Sequence, residues 1–202
     1  MTGTSSTRPR EHITDTTALR HFALIGQVSL LARLMGGVVH VPREILDPDE
    51  AVDSVVLSEI GNALRYINGP RYVHPDREEH AQRLRDLSVD RSVAVVDLDD
   101  EELAEASRLS GRQFARQMRR ARLGAGEAAV MAVALARDWT AVIDDKDART
   151  VLASIKPHAR TVTCQTLLRV GAGDVLASSE AQLVYLDLVK AGFRGPPSLW
   201  EE

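Results

Sequence analysis

The chain has 202 residues, 44% hydrophobic but only 4% aromatic, so a core of Ala, Val, Leu and Ile is expected, of a size that one domain can bury. A formal net charge of −4 excludes an overall basic field for nucleic acid, so any RNA or DNA contact needs a local patch. Cys164 is the single cysteine, which excludes an intramolecular disulfide and a cysteine-rich zinc site and fits a reducing cytoplasm, and no apolar run reaches the length of a membrane helix.

Residues 1–11, "MTGTSSTRPRE", carry no apolar segment of the secretory type and read as a disordered tail ahead of one domain over 12–202. A short strand over 12–14 stops at Asp15. Residues 18–25 read as a helix closed by Gly26. Leu30, Leu31 and Leu34 share the face of a second helix, closed by Gly36 and Gly37, and "VVHV" is a β-branched strand ended by Pro42. Strand, helical crossover and strand of this length predict a parallel pair. Val52, Val55, Val56, Ile60, Ala63, Leu64 and Ile67 repeat at helical spacing until "NGPRYVHPD" breaks the pattern. A charged helix over 77–87, a strand "SVAVVDL" and a helix from Asp99 or Asp100 follow, and "RQFARQMRRAR" continues as a basic helical stretch. Segment 68–122 is thus a helical, partly basic middle. Gly124, Ala125 and Gly126 open the apolar helix "EAAVMAVALARD", then come the strand "AVI", a helix through 151–154, the strand "RTVTC", the helical "QTLLRV" and a last helix, "SEAQLVYLDLVKAGF". The tail "FRGPPSLW" is either docked through Trp200 or kept for a partner. Strands alternating with helices predict an α/β sandwich around a parallel sheet.

Strand carboxyl ends in such a sheet converge on one edge, where ligands bind. Asp15 ends the first strand, and Asp144 and Asp145 end a later one. Glu127 stands alone in the first turn of an otherwise apolar helix, and Glu59 interrupts another apolar stretch. Each acid also has a local reading: Asp15, Asp144 or Asp145 as a helix cap, Glu127 as a charge at a helix dipole, Glu59 and Asp147 on solvated faces. As a set they have a stronger meaning. Two carboxylates about 5 Å apart repel by roughly 3 kcal/mol at an effective dielectric near 20, so a cluster needs protons or a cation. All-oxygen ligands suit Mg²⁺ or Mn²⁺. Arg112, Arg116, Arg119 and Arg120 have spacings that share a helical face, with Arg122 close by. They read either as phosphate contacts or as a solvated flank balanced by "DDEELAE". "LGAG" lacks the residues of a phosphate loop and reads as tight packing. The six histidines show no i, i+4 pair in a helical setting, so no histidine metal site is expected.

"ITDTTAL", "VVHVPREIL", "SEIGNAL", "LGAGEAAVMAVALARDW" and "AVIDDKDAR", in this order, resemble the PIN-domain family, most closely the bacterial branch whose third acid sits in a G-E-A motif. The resemblance spans about 12–193 and is weak over 68–122. It implies a three-layer α/β/α sandwich and, as in many members, a Mg²⁺- or Mn²⁺-dependent endoribonuclease, including VapC-like toxins of toxin–antitoxin pairs. Carried over, Asp15 resembles the first metal-site acid, Thr16 the small hydroxyl residue after it, Glu59 the second acid, Glu127 the third and Asp145 the fourth, with Asp144 in its place if the register slips by one. "DPDE" makes Glu50 a rival to Glu59. RNA as substrate, contacted by Arg116, Arg119 and Arg120, an antitoxin protein and a homodimer are the implied partners. A catalytically weak PIN-fold interaction or regulatory protein is the alternative.

Overall fold

The computed structural model describes residues 11–47 and 58–201. Strand β1 (His12–Thr14) stops where the Asp15 carboxylate accepts the Ala18 N–H and starts α1 (Thr16–Leu24). Gly26, at φ +68°, leads into α2 (Val28–Leu34), and the positive φ of Gly36 and Gly37 ends that helix before β2 (Val39–Pro42). Ser58 caps α3 (Glu59–Asn68) through the Gly61 N–H, and α4 (Arg77–Asp86) precedes β3 (Val93–Val96). A capping box between Asp99 and Glu102 opens α5 (Asp100–Leu109). Next come α6 (Arg112–Gln117), α7 (Ala125–Arg137), β4 (Thr140–Val142), α8 (Lys146–Ile155), β5 (Thr161–Val162), α9 (Cys164–Gly171) and α10 (Ser178–Lys190).

The five strands are parallel, in the order β3-β2-β1-β4-β5. The chain moves outward from β1 through β2 and β3, returns, and moves outward on the other side through β4 and β5. Right-handed crossovers therefore put α1–α4 on one face and α5–α8 on the other. The packing agrees: α1 meets α2, α3 and α4, α5 meets α6 and α7, and α9, which packs on α10, reaches the first layer through α2. This is the α/β/α sandwich that the alternating pattern predicts. Among the described residues no helix is long and apolar enough to cross a membrane.

Helix α7 is enclosed on both sides, as its uniformly apolar sequence predicts. It rests on β1, β2 and β4 and lies beneath α5. Residues 128–134 are all buried, and Met131 has no exposed surface. Truncating a Met in such surroundings to Ala costs about 2–5 kcal/mol. Arg137, at the last position of α7, ties that helix to α5. Its Nε and a terminal nitrogen each donate at 2.7 Å to the buried Glu102 carboxylate of α5.

Three expectations need revision. The helix expected from Val52 begins, within the described residues, at Glu59; Glu50, Val52, Val55, Val56 and the tail over 1–10 lie outside them. The basic helix expected over 112–122 stops at Gln117, because Arg119 is left-handed at φ +53°. There the Arg119 N–H donates to Arg116 O and the Arg120 N–H to Ala115 O, a Schellman cap without glycine. Finally, Leu199, not the half-exposed Trp200, docks the C-terminal segment. Tyr185 Oη donates to Pro196 O at 2.8 Å, and Gln165 Nε2 donates to Leu199 O at 3.0 Å.

Candidate active site

The strand order reverses between β1 and β4, and at that point the fold opens a crevice beyond their carboxyl ends. Asp15 follows β1 there and Asp144 follows β4 by two residues. Asp15 is almost fully buried. Its Oδ1 accepts the Ala18 N–H at 2.8 Å, while Oδ2 is buried without a hydrogen-bond partner among the described residues. Asp144 has the same division of labour. Its Oδ1 accepts the Cys164 N–H, at the start of α9, at 2.8 Å, and its Oδ2 is buried with no hydrogen-bond partner among the described residues. Burial above all, then the charges of Asp144 and Glu127, push the Asp15 carboxyl up to about 8. Burial likewise raises Asp144, against the pull of the Cys164 hydrogen bonds and the Arg149 guanidinium. Arg149 donates to the Ile143 and Asp144 carbonyl oxygens at 2.9 and 2.7 Å, which fixes the strand end that carries Asp144.

Glu59 and Glu127 meet from two helix N-termini. Glu59 is the first residue of α3. Its Oε2 accepts from the Thr16 hydroxyl, and its Oε1 accepts the Gly126 N–H at 2.9 Å. Glu127 sits in the first turn of α7, with Oε2 accepting the Gly124 N–H at 3.0 Å. Burial raises both carboxyls first, and their mutual charge adds to the rise at Glu59. The "GAG" before Glu127 makes this approach possible. A methyl group on Gly126 would lie 2.6 Å from Glu59 Oε2 and 2.7 Å from Ile45 Cγ1. The reading of these glycines as tight packing is thus given a partner: what they pack against is Glu59.

Asp145 is placed differently from Asp144. It is exposed and caps α8, its Oδ1 accepting the Ala148 N–H at 2.7 Å, though its charge is felt by Glu127. Asp147 faces solvent, as its local reading expects. Glu44 is an acid that the sequence reading passed over. It follows β2, it has a buried oxygen without a partner among the described residues, and its charge raises Glu59. The available signal was its place just after a third strand end, in "VPRE".

Three carboxylate oxygens at one sheet edge, on Asp15, Asp144 and Glu44, are therefore buried and without a hydrogen-bond partner among the described residues. Oxygen donors of this kind fit a hard divalent cation such as Mg²⁺ or Mn²⁺. The ligand set is not drawn tightly together: no three of these acids bring oxygens within 4.8 Å of one another, and among the described residues only His74, Asp76 and His80 do so with their ligand atoms.

Cations stand around the acids. Arg120 donates to Asp147 O at 2.6 Å, its Nε is buried without a partner among the described residues, and its charge lowers Glu127. Arg116, Arg119 and Arg120 line one hollow with Arg112 and Arg122, gathered by the turn after α6 and not by a helical face. On the other side of Glu59, a cleft of about 580 Å³ between α1 and α3 is walled by Thr16, Arg20, Ala63, Tyr66 and Tyr72.

No family model matches the chain, and no curated protein matches it. Among solved structures it is similar to VapBC2 from Rickettsia felis bound to a DNA fragment from their promoter, at 12% identity, covering 75% of this chain and 97% of that chain, with a TM-score of 0.44. At that distance the chemistry of the site is read from this chain's own geometry.

Proposed function

We propose that the chain is a PIN-type endoribonuclease that depends on a divalent cation, Mg²⁺ or Mn²⁺. The carrying observation is the pair Asp15 and Asp144, at the carboxyl ends of adjacent strands, each with one buried oxygen that has no hydrogen-bond partner among the described residues. Asp15, Asp144, Glu127 and Glu59 would hold the ion, with Asp144 taking the fourth position before the exposed Asp145. The ion supplies Lewis-acid polarisation of a phosphodiester and acidification of a water.

The chain's own groups have separate tasks. Arg116, Arg119 and Arg120 bind the phosphates flanking the scissile one. Glu127, whose carboxyl is raised by burial, is suited to accept the proton of the attacking water at Oε1, the oxygen that does not take the Gly124 N–H. Thr16 and the Gly126 N–H hold the Glu59 carboxylate in place. Tyr66 and Tyr72 offer ring faces on which unpaired bases stack. RNA as the substrate, a toxin role with an antitoxin protein as partner, a homodimer and a cytoplasmic location rest on the resemblance to the PIN family. Co-purification with a small protein covering the acids would support the toxin role.

RNA cleavage in Mn²⁺ by the parent protein, Asp15→Asn, Asp144→Asn and Asp145→Asn tests the reading. Loss in the first two variants with substantial activity left in the third is expected. Equal activity in all four proteins removes the site. A PIN-fold interaction protein with weak catalysis is the second reading, favoured by the loose spacing of the acids. It predicts no Mn²⁺ uptake at millimolar metal.

A further inference from the structure

We propose that His74, Asp76 and His80 form a separate Zn²⁺ site at the start of α4. Their ligand atoms all lie within 4.8 Å of one another. His74 and Asp76 lie in the turn ahead of α4 and His80 closes its first turn, in the pattern H-x-D-x₃-H. A search for helical i, i+4 pairs misses this arrangement, because His74 lies outside the helix. The proposal departs, on that geometry, from the expectation that no histidine binds metal.

The first two ligands already converge. His74 Nδ1 lies 3.9 Å from Asp76 Oδ2 and accepts the Asp76 N–H at 3.1 Å, so the ion would take that lone pair in place of the N–H. The His74 and His80 rings stand 4.5 Å apart between centroids. Ligands at Zn²⁺ bond lengths and tetrahedral angles are about 3.3 Å apart, so side-chain rotations that draw the atoms inward by about 1 Å complete the set. His80 is oriented by Tyr72, whose hydroxyl oxygen is 2.6 Å from His80 Nδ1. With Nδ1–H donating to that oxygen, Nε2 keeps its lone pair for the ion, the outer-shell arrangement that ligating histidines use. Two imidazole nitrogens and one carboxylate oxygen form a borderline donor set that suits Zn²⁺. The strand-end acids, all oxygen, suit a harder ion, so the two sites differ in selectivity.

The surroundings allow a cation. His74, Asp76 and His80 line a surface hollow together with Asp187 of α10, leaving the fourth position to water or to that carboxylate. Arg83 and Lys190 also line it, but both are engaged: Arg83 with Glu79 at 2.6 Å and Lys190 with Asp187 at 2.8 Å. Because Tyr72 also walls the cleft beside Glu59, an ion here would steady that wall.

The test is titration of the untagged, chelator-stripped full chain with ZnCl₂ by calorimetry. One equivalent is expected that survives Asp144→Asn and is lost in both His74→Gln and Asp76→Asn, two positions outside the core whose substitution leaves the fold intact by circular dichroism. Tyr72→Phe should weaken uptake about 10–100-fold. Absence of uptake by the parent overturns the proposal. So does unchanged uptake in His74→Gln and Asp76→Asn, or loss in Asp144→Asn alone, which would move the ion to the strand-end acids. None of these results bears on RNA cleavage, so the two proposals fail separately.

Discussion

Replacing Asp15 by Asn should stabilise the cation-free protein at pH 8. Burial and the Asp144 charge raise the Asp15 carboxyl from 3.8 to about 8. Between those values the native chain keeps a proton that the unfolded chain has released. The folded state therefore binds more protons, and stability falls as pH rises through this window. A group titrating alone over about 4 pKa units would change stability by about 6 kcal/mol. Asp15 and Asp144 share their repulsion, so the change belongs to the pair, and about 2–4 kcal/mol is expected from removing one member. Asn preserves the cap, since its Oδ1 still accepts the Ala18 N–H. Urea unfolding in chelator at pH 5 and pH 8 measures this. The variant should gain about 1–2 M in midpoint at pH 8 and a fraction of that at pH 5. Added Mn²⁺ should stabilise the parent and not the variant. Equal midpoints at pH 8, or a parent that grows more stable than the variant as pH rises, would refute the electrostatic reasoning.

Other substitutions separate roles within the site. Gly126→Ala places a methyl group against Glu59 Oε2 and Ile45 Cγ1; a loss of about 1–3 kcal/mol is expected by thermal unfolding, together with reduced cleavage. Glu127→Gln keeps an acceptor for the Gly124 N–H, so stability should hold while Mn²⁺-dependent RNA cleavage falls about 100-fold or more. Arg119→Gly preserves the left-handed turn that Arg119 occupies at φ +53°. Combined with Arg116→Ala it should lower the salt dependence of single-stranded RNA binding by about 1.4 in log–log slope, measured by filter binding.

The fold was legible where hydrophobic period and chain punctuation coincide. "HIT" before Asp15, the glycines at 26, 36 and 37, and the acids at Asp99 and Asp100 mark β1, α1, α2 and α5, with α1 shifted from the expected 18–25 to Thr16–Leu24. Helix α7 was legible as a buried element because no face of it is polar. The end of α6 was not, since nothing in "QMRRAR" announces that Arg119 adopts a conformation usually reserved for glycine. At the candidate site, Asp15 and Glu127 could be named from their positions at a strand end and a helix start, and Glu59 as an acid that interrupts an apolar stretch. The choice between Asp144 and Asp145 could not, because adjacent residues after a strand differ only in which way the chain turns. Asp144 turns inward to the α9 N-terminus and Asp145 outward to cap α8. The His74, Asp76 and His80 group depends on loop geometry that has no period to read, whereas Glu44 was within reach as an acid just after a strand end.

Crystals soaked in Mn²⁺ and measured at its absorption edge test the central claim most directly. The account predicts an anomalous peak held by the Asp15 and Asp144 carboxylates, with Glu127 beside it. A peak elsewhere, or saturating Mn²⁺ with both carboxylates still unligated, would contradict it.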